Sequence, residues 1–142
     1  MLKNLDPLLT PELLGALRAM GHGDEIVIVD ANYPAQSTGP KVIRLDAVSA
    51  TQALDVILKV LPLDDFVPDG CVRMEVVGDP TSEQPIFEEF RALIAKHEGA
   101  GFKLHSMERQ AFYERARRCF AIVATGERRL YGNIILKKGV IR

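Results

Sequence analysis

Met20-Gly-His-Gly-Asp-Glu-Ile-Val-Ile-Val-Asp-Ala-Asn-Tyr-Pro34 reads as the end of a helix, a glycine-flanked turn, a hydrophobic strand over 25–29 and a polar loop. The strand is rich in β-branched residues and bounded by turn signals, the pattern of a strand buried on both faces in a parallel sheet. Polar loops at the ends of such strands are where open α/β sheets bind ligands. His22 stands at one end of this strand and Asp30 at the other. Gly21 and Gly23 give His22 unusual backbone freedom, because glycine accepts positive φ and lets another group approach closely. The same residues also read as a glycine-terminated helix followed by an ordinary histidine, and this stretch alone leaves both readings open.

Working outward, Thr10-Pro11-Glu12 followed by Leu13, Leu14, Leu17 and Met20 predicts a helix with an N-cap threonine and an early proline, ended by Gly21. Downstream, Asp30 to Pro40 is long and polar for a connection in a compact domain, and such loops are more often functional than idle. A strand is expected at 41–44. Ser49 caps a helix carrying Ala53, Leu54, Ile57, Leu58 and Leu61, and Pro62 stops it. A turn at 64–70, a strand at 71–77 and a loop at 78–82 follow. Phe87, Phe90, Leu93 and Ile94 mark a helix ending near Gly99. The remainder reads as a strand at 103–107, a helix at 110–118 and strands at 119–124 and 133–137. Helices alternating with strands predict one α/β domain over 1–142, a layered α/β sandwich with a mostly parallel central sheet.

The composition narrows the function. At 142 residues with 47% hydrophobic content, the chain is one domain with an adequate core. A net charge of −1 removes the electrostatic case for nucleic acid or an anionic membrane as main partner. Arg115, Arg117 and Arg118 read as a solvated helix face. Cys71 and Cys119 lack metal-ligand spacing and read as buried thiols in a reducing cytoplasm. Met1 to Asp6 lacks the pattern of a signal peptide, and no stretch approaches the roughly 20 apolar residues of a membrane span, so a cytoplasmic protein is expected. There is no GxxxxGK[ST], no GxGxxG in strand-to-helix context and no GxSxG. His22, His97 and His105 match no metal spacing. Chemistry needing neither metal nor cofactor is the economical class.

Two further stretches are dense in polar groups. Arg109-Gln-Ala-Phe-Tyr-Glu-Arg-Ala116 places Phe112 and Ala116 on one helical face, with Arg109 at the helix start. In Thr125-Gly-Glu-Arg-Arg-Leu-Tyr-Gly-Asn133, Gly132 would let the backbone turn so that Tyr131 and Asn133 reach one pocket, but taken alone the stretch reads as an ordinary turn into the last strand. Together, Met-Gly-His-Gly-Asp-Glu-Ile (20–26), Asp-Ala-Asn-Tyr-Pro-Ala (30–35), Phe-Tyr-Glu-Arg-Ala (112–116), Thr-Gly-Glu-Arg (125–128), Tyr-Gly-Asn (131–133) and Leu-Lys-Lys-Gly-Val (136–140) resemble the L-fucose mutarotase branch of the D-ribose pyranase/fucose mutarotase family. The motifs fall in family order across nearly the whole chain, and residues 60–108 carry little that is diagnostic. Tyr-Gly-Asn rather than Tyr-Ala-Asn favours the fucose branch over the ribose branch.

The resemblance implies an isomerase of carbohydrate metabolism that interconverts the α and β anomers of L-fucose or a related monosaccharide without a cofactor. It implies that His22 is the catalytic acid/base residue and that Asp30, Arg109, Tyr131, Gly132 and Asn133 bind the sugar. It also implies a homodecamer with sites at subunit interfaces. The chemistry agrees with the residues: opening a hemiacetal needs one proton removed and another supplied, and histidine serves either role near neutral pH. Competing readings are a D-ribose pyranase, a non-catalytic sugar-binding module, a purely structural oligomer and, more distantly, a metal-dependent hydrolase.

Overall fold

The computed structural model describes residues 1–142. Strands β1 (Glu25–Val29), β2 (Lys41–Leu45), β3 (Cys71–Met74), β4 (His105–Met107), β5 (Ala121–Thr125) and β6 (Ile134–Lys137) form one sheet in the order β2-β5-β1-β6-β3-β4. Five helices connect them: α1 (Pro11–Ala19), α2 (Ala35–Thr38), α3 (Ala50–Leu58), α4 (Pro85–Glu98) and α5 (Arg109–Ala116). The pairs β1–β5, β2–β5 and β3–β4 are parallel. β6 alone runs the other way, antiparallel to β1 on one side and to β3 on the other. The sheet is thus mostly parallel, as expected, with one reversed strand near its centre. Nothing in Ile-Ile-Leu signals that reversal, because an all-apolar run reads alike in either direction.

Both faces of the sheet are covered. Ile26 and Ile28 of β1, Val123 of β5 and Ile134 and Leu136 of β6 pack with Leu13, Leu17, Leu54, Ile57, Phe87, Phe90 and Ile94 of α1, α3 and α4. The alternate residues Val27, Val29, Ile122 and Ile135 pack with Tyr33, Ala35, Phe112, Ala116 and Cys119 on the α5 side. This two-sided burial is why β1 shows no apolar/polar alternation.

The capping residues act as their positions imply. Thr10 Oγ1 accepts from Leu13 N at 3.2 Å, and Ser49 with Gln52 forms a reciprocal capping box. Several elements differ from the sequence-based expectation: α3 ends at Leu58, short of Leu61 and Pro62, and β5 runs Ala121–Thr125 where the sequence predicts a strand at 119–124. Residues 35–38 form a single helical turn within the long loop, with the Ser37 and Thr38 hydroxyls donating to Pro34 O. β3 ends at Met74 instead of 77, because Val76 and Asp79 close a tight turn there. Arg115 is not on a solvated face: it is 8% exposed and bound to two carboxylates, while Arg117 and Arg118 are exposed.

Both cysteines are buried and unpaired. The Cys71 thiol donates to Lys103 O and that of Cys119 to Arg115 O. Burial pushes both thiols up to about 12, so neither is a thiolate at neutral pH. Iodoacetamide at pH 8 is therefore expected to leave the native protein unmodified and to add two carbamidomethyl groups after denaturation; intact-mass spectrometry checks this.

Candidate active site

Polar residues gather at opposite edges of the sheet. At one edge, Asp30 follows the last residue of β1 and Asn133 precedes the first residue of β6. Because the two strands are antiparallel neighbours, these positions meet. Asp30 N donates to Asn133 Oδ1 at 2.9 Å, and Asn133 Nδ2 donates to Asp30 Oδ2 at 3.0 Å. Asn32 N donates to Asp30 Oδ1 at 2.9 Å. Both side chains are buried. Burial raises the Asp30 carboxyl above its usual 3.8 against the opposing pull of these donors.

Tyr131 and Arg109 join the same edge. Tyr131 has φ 62°, a left-handed backbone uncommon outside glycine, and its hydroxyl accepts from Val77 N at 3.1 Å. The turn is thus made by Tyr131, and not by Gly132 as the sequence reading held. Gly132 is needed for room: a Cβ there would lie 2.8 Å from Glu127 Cγ and 3.1 Å from Ile86 Cδ1. Arg109 opens α5, exposed, while Glu108 caps that helix by accepting from Gln110 N and Ala111 N. Asp30, Arg109, Tyr131 and Asn133 line one cavity of about 220 Å³, walled on its apolar side by Met74, Val77 and Leu130. That is below the roughly 300–1,000 Å³ typical of drug-sized ligands, and suits one small polar molecule.

At the opposite edge stands His22. Its Nε2 lies 3.0 Å from Asp64 Oδ1, with the imidazole 44% exposed and the carboxylate 3%. The Phe66 ring, exposed to solvent, sits 5.0 Å from the imidazole, centroid to centroid. A carboxylate can only accept, so this bond makes Nε2 the protonated nitrogen and leaves Nδ1 as the unbonded ring nitrogen. The strand between the two edges spans about 13 Å of extended chain, so His22 does not reach the cavity of its own chain.

The turn that carries His22 is held by the residues after β6. Lys138 Nζ donates to Leu17 O and Met20 O, the free carbonyls ending α1. Gly23, at φ 87°, donates its N–H to Lys138 O, and Lys138 N donates to Asp24 O. The Asp64 loop hangs from the same segment: Asp64 N donates to Lys137 O, and Gly139 N donates to Pro62 O. A Cβ on Gly139 would lie 2.5 Å from Leu63 O, so only glycine allows this approach. Leu-Lys-Lys-Gly-Val is therefore the strap that brings histidine and aspartate together.

Residues 3–141 match the RbsD / FucU transport protein family. The chain belongs to this family. It is 46% identical over 146 residues to the fucose mutarotase of Homo sapiens, covering 99% of this chain and 94% of that protein. It is 43% identical over 140 residues to the L-fucose mutarotase of Actinobacillus pleuropneumoniae serotype 5b, covering 99% and 97%. The crystal structure of the fucose mutarotase from Streptococcus pneumoniae in complex with L-fucose superposes with a TM-score of 0.91 at 44% identity, covering 99% of this chain and all of that one. Family membership thus rests on the full length of the fold, reversed strand included.

Of the residues singled out from sequence, the structure unites Asp30, Arg109, Tyr131, Gly132 and Asn133, and leaves His22 at the other edge. Asp64 and Phe66 went unnoticed in a segment without diagnostic motif. A signal did exist: the turn before β3 lies on the same edge as the turn before β1, since the two strands run the same way, and Asp64-Asp65-Phe66 is its polar and aromatic part.

The raised carboxyl of Asp30 sets a pH dependence. A charged carboxylate is a stronger hydrogen-bond acceptor than a protonated one, and Asp30 protonates at higher pH than an ordinary aspartate. L-Fucose affinity measured by calorimetry is expected to fall on acidification with a midpoint above 3.8, and Asp30→Asn is expected to abolish that acid limb.

Proposed function

We propose that this protein is an L-fucose mutarotase that interconverts the α and β anomers by ring opening and reclosure. The observation that carries the reading is the buried Asp30–Asn133 pair in a sugar-sized cavity, on a chain similar along its whole length to fucose mutarotases. Asp30, Asn133, Tyr131 and Arg109 hold the sugar hydroxyls, and the planar Arg109 guanidinium fixes orientation. Gly132 keeps the backbone of that turn close enough for Tyr131 and Asn133 to act together.

His22 moves the protons. His22 takes the proton of the anomeric hydroxyl and delivers it to the ring oxygen as the C1–O5 bond breaks and an aldehyde forms. Rotation about C1–C2 presents the other face, and the reverse proton transfers reclose the ring. His22 Nδ1 is the exchanging atom, and the Asp64 carboxylate steadies the imidazolium formed when it takes a proton.

His22 acts on the cavity of a neighbouring copy. The separation of the two edges within one chain supports this, as do exposed apolar residues at both: Phe66 beside His22, and Val77 and Leu130 beside the cavity. The assembly is a homodecamer, in line with the sequence resemblance. No helix of the chain is long and apolar enough to cross a membrane. The two free thiols accord with residence in the reducing cytoplasm.

His22→Ala is expected to bind L-fucose and to slow anomer exchange by about 10²–10⁴-fold, read by NMR saturation transfer. Wild-type exchange in this variant would remove His22 from its role. Fucose binding without any faster exchange in the wild-type protein would mark a binding module instead, and faster exchange of D-ribose than of L-fucose would mark the ribose reaction. Mixing His22→Ala with Tyr131→Phe under subunit exchange should recover part of the activity, and its failure to do so would argue against a shared site.

A further inference from the structure

Arg115, in the Phe-Tyr-Glu-Arg-Ala run, belongs to neither the sugar cavity nor the His22–Asp64 pair, yet its guanidinium is buried and fully engaged. Nε donates to Glu25 Oε2 at 3.0 Å and Nη2 to Glu25 Oε1 at 2.7 Å. On its other side, Nη1 donates to Asp69 Oδ2 at 2.8 Å and Nη2 to Asp69 O at 3.2 Å. Glu25 begins β1, three residues after His22, and Asp69 ends the turn that Asp64 begins. One rigid cation therefore ties the segment carrying His22 to the segment carrying Asp64. The strap after β6 holds the same two segments from elsewhere, through Gly23 N to Lys138 O and Asp64 N to Lys137 O. Lys137 Nζ adds a second cation 3.4 Å from Glu25.

We propose that Arg115 is a positioning residue that sets the geometry of the His22–Asp64 pair. The proposal rests on the reading of His22 as the acid/base group. The imidazole sits half exposed on a glycine-flanked turn, which by itself has many conformations. Catalysis needs the ring held to a fraction of an ångström, and a misplacement of about 1 Å costs on the order of 10²-fold. Arginine is required because its planar fork grips both carboxylates at once; the single ammonium of lysine does not span them in the same geometry.

The test compares wild type with Arg115→Lys and with the milder Asp69→Asn, which removes one arm of the clamp at a partly exposed carboxylate. Three quantities are read on folded protein: L-fucose affinity, kcat for anomer exchange, and the ¹⁵N-edited signal of the His22 Nε2–H bonded to Asp64. Positioning predicts affinity within about twofold of wild type, kcat lowered by about 10–100-fold in Arg115→Lys and less in Asp69→Asn, and faster solvent exchange of the ring N–H in both. Unchanged kcat with a protected ring N–H in either folded variant overturns the proposal, as does an equal loss of affinity and kcat, which marks general damage. A labile ring N–H with unchanged kcat leaves the clamp standing and counts against His22 as the acid/base group.

Discussion

The antiparallel pairing of β1 with β6 is the constraint on which both polar clusters depend. Its register, Glu25 opposite Lys137 and Ile28 opposite Ile134, brings the residues flanking the two strands together at both edges. At one edge Asp30 meets the Tyr-Gly-Asn turn; at the other the Gly-His-Gly turn meets Lys138. A slip of one residue would turn every β6 side chain to the opposite face and separate both sets of partners. The core opposes such a slip, since Ile134 and Leu136 belong to the α1/α3/α4 layer and Ile135 to the α5 layer.

Around this frame, buried charges are held by partners drawn from distant segments. Asp30 is held by Asn133, Asp64 by His22, and Arg115 by Glu25 and Asp69. Arg73 is the exception: its Nε has no partner, and its guanidinium stacks 3.8 Å above the Phe87 ring. These pairs fix the shape of each edge more sharply than apolar packing does, because each accepts a narrow range of distance and angle. A mutarotase needs little more: one mobile proton site and a set of fixed acceptors and donors around a small ring.

The elements were largely legible in the sequence, each for a local reason. Thr10 and Ser49 announced helix starts, Gly21 announced a helix end, and the β-branched run at 25–29 announced a buried strand. The Asp-Ala-Asn-Tyr and Tyr-Gly-Asn stretches that the structure brings to one cavity stood out as well, because each is short and contiguous. Arg115 was misread for a plain reason: a basic run on a helix looks solvated until its carboxylate partners, 90 and 46 residues away, are brought against it. Gly132 was misread because its role depends on Glu127 and Ile86 as neighbours and not on its own torsion angles. Asp64 carried no recognisable spacing to His22, from which it is 42 residues distant.

The sequence by itself determined the α/β class and the positions of nearly all helices and strands. These follow from side-chain periodicity and capping chemistry, which act over a few residues. Only the tertiary structure decided that β6 is reversed, that His22 and Asp30 lie at opposite edges, that Lys138 holds the turn carrying His22, and that Arg115 joins Glu25 to Asp69. Those outcomes depend on strand order and register, set by the simultaneous burial of two core layers whose members are far apart along the chain.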